Sequence, residues 1–358
     1  MKFNFLFPLF ICSAFGCQQA NTSDHHQEID AEVIQPVLVS DSTDMDTDDP
    51  AIWINQYDPG RSLILGTDKD KNGGLYVFDL EGKIIDSLTI KNLKRPNNVD
   101  VGYQFQLNEQ IVDFAVVTER MTRALRFYSL PDMKSIDGGD GIEVFQGEDE
   151  SAEHRDLMGI ATYKSPSSQK QYVIVGRKSG PTDGTYLWQY EMKADEGKIS
   201  LDLVRKFGNY SGKKEIEAIA VDQSLGYVYY SDEMHGIRKY YADPEKGNDE
   251  LAVFGRDYFT RDHEGISIYQ KSDTTGYILV SDQQANKFHV FPREGKKDSP
   301  HDHHLIKAIS LATESSDGSE VTHVALSPKF PKGLFVAMSE GRVFHYYSWE
   351  DLEKMIHK

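Results

Sequence analysis

Residues 44–55 read "DMDTDDPAIWIN", with four aspartates in the six positions from Asp44 to Asp49, then a proline and an apolar run. Like charges this close repel, and holding them against a buried strand costs more than leaving them in water. A bound cation is the compensation this pattern calls for. Further oxygen donors stand at the edges of apolar runs: Asp48 and Asp49, Asn98 and Asp100 in "PNNVD", and Glu217 in "EIEAIA". The series continues with Asp232 and Glu233 in "SDEMHG", Asp262 and Glu264 in "RDHEG", and Gln283 in "SDQQAN". Hard cations take several such oxygens at once, and calcium tolerates irregular geometry better than magnesium. No stretch has the spacing of an EF-hand loop, so a site must be assembled from separate segments. The competing account is turn chemistry, since Asp and Asn favour strand ends for their own backbone hydrogen bonds. That account weakens where a Glu precedes an apolar strand in parallel contexts, as in "IEAIA" and "HEGIS".

A basic set accompanies the acidic one: Lys69, Lys71, Arg95, Arg120, Arg123, Arg177 and Lys178. Arginine grips phosphate oxygens bidentately and lysine acts as a point charge, so a cluster of both suits a polyphosphorylated ligand. The alternative is solvated charges paired with nearby carboxylates.

What must position these residues is a recurring unit. An apolar strand leads to a polar knot, and a second strand rich in Tyr or Phe follows. Examples are "AIWIN…SLILGTDKDKNGGLYVFDLEG" and "EAIAVDQSLGYVYYSDEMHGIRKYYAD". Six copies at a period of roughly 50 to 60 residues predict a six-bladed β-propeller, an all-β single domain. Corresponding loops of a propeller emerge on one face, so the knots "TDKDKNGG", "TERMTR", "GRKSG", "SDEMHG" and "SDQQAN" are expected to share one rim. Only the end of the chain, "SWEDLEKMIHK", has helical periodicity.

The chain has 358 residues, with 19 Tyr, 18 Phe and 3 Trp to build a core, and a formal net charge of −18. That charge argues against a nucleic-acid partner, which selects for a basic face. It suits calcium or simple solubility. At the N-terminus "FNFLFPLFICSAFG" is too short to span a bilayer, and "AFGC" is a loose lipobox. Residues 1–17 are therefore read as a signal peptide with Cys17 as the lipidated residue, residues 18–35 as a polar tether, and 36–358 as the propeller domain. The protein is expected to be exported, as an outer-membrane lipoprotein or a periplasmic or extracellular protein of a Gram-negative bacterium. Its only membrane contact would be the lipid anchor. "HDHH" at 301–304 reads as an exposed inter-blade loop rather than a transition-metal site, and Trp53 and Trp188 read as core. No nucleophile elbow, P-loop or His-Glu-x-x-His motif is present.

From about Asp48 to Trp349 the chain resembles the β-propeller phytases of the Bacillus alkaline type, through "DDPAIW", "GLYVFDLEGK", "NNVD", "EGISIY" and "LSPKFPKGLFVA…SWEDL". The resemblance implies a calcium-dependent monomeric phosphomonoesterase acting on phytate, myo-inositol hexakisphosphate, or on its calcium complex. It implies that Asp48, Glu217, Glu233, Asp262, Glu264 and Gln283 hold active-site calcium, and that Asp49, Asn98 and Asp100 serve structural calcium. Lys69, Arg120 and Lys178 would bind phosphate, with Lys71 and Arg95 as helpers. Asp48, Glu217, Glu233, Lys69 and Arg120 would carry the chemistry. Two departures stand out. Met158 occupies a place where the family often has a phosphate-contacting tyrosine. The stretch "AMSEGRVFHYYSW" is shorter than its family counterpart, which carries calcium ligands, so one structural calcium site is expected to be absent, with Asp317 and Glu320 replacing part of it. The rival readings are a metal-dependent six-bladed lactonase-like hydrolase, which needs few cations, and a non-catalytic surface-tethered binding propeller.

Overall fold

Short Val-, Ile-, Tyr- and Phe-rich runs pack well on a pleated surface, and the Gly, Asp and Asn between them turn the chain back, so consecutive runs pair as antiparallel hairpins. The computed structural model describes residues 1–2, 32–148 and 150–358. The apolar leader, Cys17 and most of the segment read as a tether lie outside the described residues. Among the described residues no helix is long and apolar enough to cross a membrane.

The strands form six sheets. Blade 1 runs through Thr47–Trp53, Leu63–Asp68, Gly73–Phe78 and Ile90–Leu93. Blade 2 follows with Pro96–Leu107, Gln110–Glu119, Ala124–Leu130 and Ile142–Glu143, and blade 3 with Leu157–Lys164, Gln171–Arg177, Leu187–Asp195 and Lys198–Phe207. Blade 4 is Ile219–Asp222, Tyr227–Asp232, Gly236–Tyr241 and Ala252–Phe254. Blade 5 is His263–Gln270, Gly276–Asp282, Lys287–Pro292 and Lys307–Leu311, and blade 6 begins with Ser319–Thr322, Leu334–Ser339 and Val343–Ser348. Each seam between neighbouring blades holds its own apolar cluster. Phe105, Phe114 and Phe127 of blade 2, for example, pack on Val175, Trp188 and Tyr190 of blade 3. The protein is a six-bladed β-propeller, as the repeat predicts.

The N-terminal segment closes the ring. Leu38–Val39 pairs with Tyr346 and His345 and supplies the outer strand of blade 6. Val33–Ile34, at the end of the stretch read as a tether, adds a fifth strand to blade 5, parallel to Ser310–Leu311. The C-terminal helix Trp349–His357 buries Trp349, Leu352 and Ile356 on one face. The Trp349 ring stacks on Tyr269 with centroids 3.6 Å apart.

The first strands of the blades surround a central channel of about 660 Å³. Four of them begin with a break in pairing register: between Thr47 and Pro50, Pro96 and Val99, Leu157 and Ile160, and His263 and Ile266. A bulge inserts an extra residue and re-aims its neighbours. Asp48, Asn97, Met158 and Glu264 of the site sit at these bulges.

The histidine-rich segment 301–304 departs from the exposed loop expected of it. His303 is buried, its Nε2 3.1 Å from Lys239 Nζ and its Nδ1 2.8 Å from the Pro292 carbonyl. Lys239 is itself buried, donates to the Pro300 carbonyl at 2.9 Å, and lies 3.8 Å over the Tyr227 ring. Burial pulls Lys239 down to about 7 and His303 down to about 4. Between pH 7 and the ordinary lysine value, the unfolded chain holds a proton that folded Lys239 has released, so this group makes stability rise with pH. Urea unfolding of wild type and Lys239→Met should therefore show the free-energy difference moving in favour of wild type by about 4 kcal/mol from pH 7 to 10. Parallel pH profiles would contradict the assignment.

Candidate active site and metal centre

One mouth of the channel collects the starts of the first strands and the turns between the second and third strands. Polar contacts run around it through all six blades. Lys69 of blade 1 donates to Asp48 at 2.7 Å, and Asp48 also accepts from Asn97 of blade 2 at 3.0 Å. Arg120 of blade 2 donates from Nε to the Leu157 carbonyl of blade 3 at 3.2 Å, and from its terminal nitrogen to the Met158 sulfur. Lys178 of blade 3 lies 3.7 Å from Glu215, on the loop entering blade 4. Lys214 on the same loop reaches Glu233 at 2.5 Å, Asp262 of blade 5 at 3.0 Å and Glu264 at 3.8 Å. Gln283 donates to Asp317, which precedes blade 6, and Asp317 closes the circuit on Lys69 at 2.5 Å. The polar knots do converge on one rim.

At the centre of this ring, carboxylate oxygens of Glu217, Glu233 and Glu264 all lie within 4.8 Å of one another. Gly159 permits this approach: a Cβ there would stand 2.3 Å from the Glu217 carbonyl. Burial drives Glu264 well up, and the neighbouring Glu217 charge adds to it. Glu233 is pushed up to about 8 by burial, against the pull of Lys214. Burial also works against ionised Glu217, yet the hydrogen bond from Glu264 and the charges of Lys69, Arg120 and Lys214 hold it below the ordinary range. Three acids therefore share too little positive charge. Among the described residues, Glu233 Oε1, Asp262 Oδ1 and Glu264 Oε2 are buried with no hydrogen-bond partner. Unpaired buried oxygens with no thiolate or imidazole among them fit a hard divalent cation such as calcium.

A second acidic group lies inside the channel. Asp49, Asn98, Asp100 and Glu320 line it. Asp49 accepts from the Val99 N–H at 3.1 Å, and Asp100 accepts from the Thr162 N–H at 2.6 Å. Burial pushes Glu320 up to about 8 and Asp100 up to about 6, and it drives Asp49 well above its usual range. The Asn98 Oδ1 is buried without a partner. This oxygen set also fits a hard cation.

The bulge between Thr47 and Pro50 explains the opening pair: Asp48 turns to the mouth and Asp49 to the channel. Asp44 instead pairs with Lys91 at 2.6 Å on the surface, and Asp46 passes its carbonyl to the Lys69 N–H at 2.7 Å. Asp317 and Glu320, expected as one replacement set, part ways: Asp317 joins the mouth and Glu320 the channel. Met158 lies fully buried against Arg120 and leaves that position without a hydroxyl.

The cations divide as well. Arg120 is almost wholly buried, and among the described residues it forms no ion pair with a carboxylate. Burial, with help from Arg95, lowers its pKa. Lys71 and Arg95 are exposed at the same mouth, and the Arg95 carbonyl accepts the Arg120 N–H at 3.0 Å. Arg177 does not belong to the rim set. It is buried, donates to the Tyr186 carbonyl at 3.0 Å and to Glu148 at 2.8 Å, and lies over Phe145 at 4.6 Å. Asp232 is likewise spent on Arg238 at 2.8 Å. Asn97, Lys214, Glu215 and Gln284 escaped sequence reasoning. Gln284 holds Asp262 by accepting its N–H and donating to its carboxylate, both at 2.9 Å.

Fold and site together define a β-propeller whose channel mouth combines buried carboxylates with a buried guanidinium that, among the described residues, has no carboxylate partner. The chain belongs to the Phytase family, whose profile matches residues 7–346. The 3-phytase of Bacillus subtilis (strain 168) is 28% identical over 346 residues, covering 92% of this chain and 85% of that relative. Among solved structures, the Cps50 (Swd1) β-propeller domain of Myceliophteria thermophila aligns over 84% of this chain and 83% of its own, with 12% identity and a TM-score of 0.47. The Dos1 propeller aligns over 85% of this chain and 68% of its own, with 11% identity and a TM-score of 0.41. The six sheets themselves define the fold.

Proposed function

We propose that this protein hydrolyses phosphate monoesters of phytate to lower inositol phosphates and inorganic phosphate, with calcium at the channel mouth. The observation that carries the reading is the pairing, among the described residues, of buried carboxylate oxygens that lack a hydrogen-bond partner with Arg120, a buried guanidinium that has no carboxylate of its own. Family membership and the 28% identical 3-phytase support the substrate. Asp48, Glu217, Glu233, Asp262, Glu264 and Gln283 would hold calcium at the mouth, and Asp49, Asn98, Asp100 and Glu320 would hold it in the channel. Bound at the mouth, calcium would offset phosphate charge and supply an acidified water for in-line attack on phosphorus.

The chain's own side chains do the rest. Arg120, with Lys69 turned from Asp48 and Asp317 towards substrate, takes up the charge that grows on the phosphoryl oxygens. Lys178, Lys71 and Arg95 hold the remaining phosphates of a polyanion around the rim. As the new phosphorus–oxygen bond forms from water, the ester bond breaks and the inositol oxygen leaves with the proton that the attacking water gives up. We further propose export and anchoring through Cys17.

A screen of phytate, a simple phosphate monoester and a lactone, each with calcium, tests the reading. Phosphate release from phytate above that from the simple ester is expected, with no lactone opening. Lactone hydrolysis without phosphate release would select the lactonase-like alternative, and a blank on all three would select a binding propeller.

A further inference from the structure

Lys214 is the one cation among the described residues that touches Glu233, Asp262 and Glu264 together. It stands on an irregular loop between the last strand of blade 3, ending at Phe207, and the first strand of blade 4, starting at Ile219. Its side chain is 33% exposed, whereas those of Glu233 and Glu264 are 0% and 3% exposed. The ammonium therefore reaches inward from solvent to a fixed acidic pocket. The carboxylates that it contacts are two of the three clustered glutamates and their neighbour Asp262. An ammonium and a divalent ion cannot share that place, because they repel and want the same oxygens.

We propose that Lys214 is a built-in stand-in for the metal ion. It neutralises Glu233, Asp262 and Glu264 while the cluster lacks an ion, and it swings out on its loop when the ion binds. The inference rests on the proposed calcium site and assigns that site a regulator: calcium enters by exchange with a tethered ammonium. Lys214 is thus a positioning residue that sets the calcium concentration at which the centre fills. Neighbouring Lys213 is turned elsewhere, its Nζ donating to the Met234 carbonyl at 2.9 Å.

The test is calorimetric titration of calcium chloride into chelator-treated full-length protein, read at the sites that Glu217→Gln abolishes. Lys214→Gln is expected to bind calcium at least about tenfold more tightly there, because the competing charge is gone. Lys214→Arg should stay at or below wild-type affinity. Melting temperatures in chelator should fall for Lys214→Gln and not for Lys214→Arg, while all three proteins melt alike in saturating calcium. That last equality shows that the glutamine variant folds. Equal or weaker calcium binding by Lys214→Gln, with wild type binding normally, overturns the inference alone. A wild-type protein that takes up no calcium at these sites overturns both the inference and the calcium reading beneath it.

Discussion

Glu217→Gln lowers the turnover of phytate by about a hundredfold or more, because it removes a charged donor from the centre of the oxygen cluster. The effect is large because Glu217 has no understudy. It is the clustered acid kept ionised, by the hydrogen bond from Glu264 and by Lys69, Arg120 and Lys214, while burial pushes Glu233 and Glu264 towards their neutral forms. Glutamine keeps the side-chain volume, so the tight contact between Gly159 and the Glu217 backbone is preserved. Unfolding should stay cooperative, and calorimetry should show the loss of a calcium-binding class. Asp48→Asn is expected to act in the same direction, since Asp48 anchors Lys69 and accepts from Asn97. Unchanged turnover in both variants would remove these residues from the site.

Arg120→Ala has the second large effect, a fall of about 10²- to 10³-fold in kcat/KM for phosphate release. The two variants fail differently. Arg120 touches the Leu157 carbonyl and the Met158 sulfur rather than any carboxylate, so its loss leaves the oxygen cluster intact. Calcium affinity should change little, since Lys69, Lys214 and the Glu264 hydrogen bond still hold Glu217 ionised. Arg120→Lys keeps a charge but not the planar fork, and it should recover only part of the activity. A calcium affinity that collapses together with activity in Arg120→Ala would mean that the guanidinium shapes the metal centre rather than binding phosphate.

The repeat of apolar strand and polar knot made the propeller readable, because each blade is a local hairpin unit with its own turn chemistry. The convergence of knots on one rim followed from that. Asp48, Glu217, Glu233, Asp262, Glu264 and Gln283 were visible because each stands at the border of an apolar run. Their partners were not. Lys214 and Glu215 lie in an irregular loop, where no periodicity says which way a side chain points. Arg120 and Arg177 occupy similar knots, yet one faces the mouth and the other is sealed under Phe145 by residues far away in the chain. The bulges that part Asp48 from Asp49 depend on pairing between strands and leave no mark in either strand alone. Ring closure escaped for a similar reason. Val33–Ile34 and Leu38–Val39 are two residues each, too short for any pattern, and gain their structure from blades completed some three hundred residues later.

The most direct test of the account is phosphate release from phytate by protein stripped with excess chelator and then titrated with calcium. No turnover is expected in the stripped protein, with a return that saturates as the mouth cluster fills and that is absent in Glu217→Gln at the same calcium. Turnover that persists after complete stripping would contradict it.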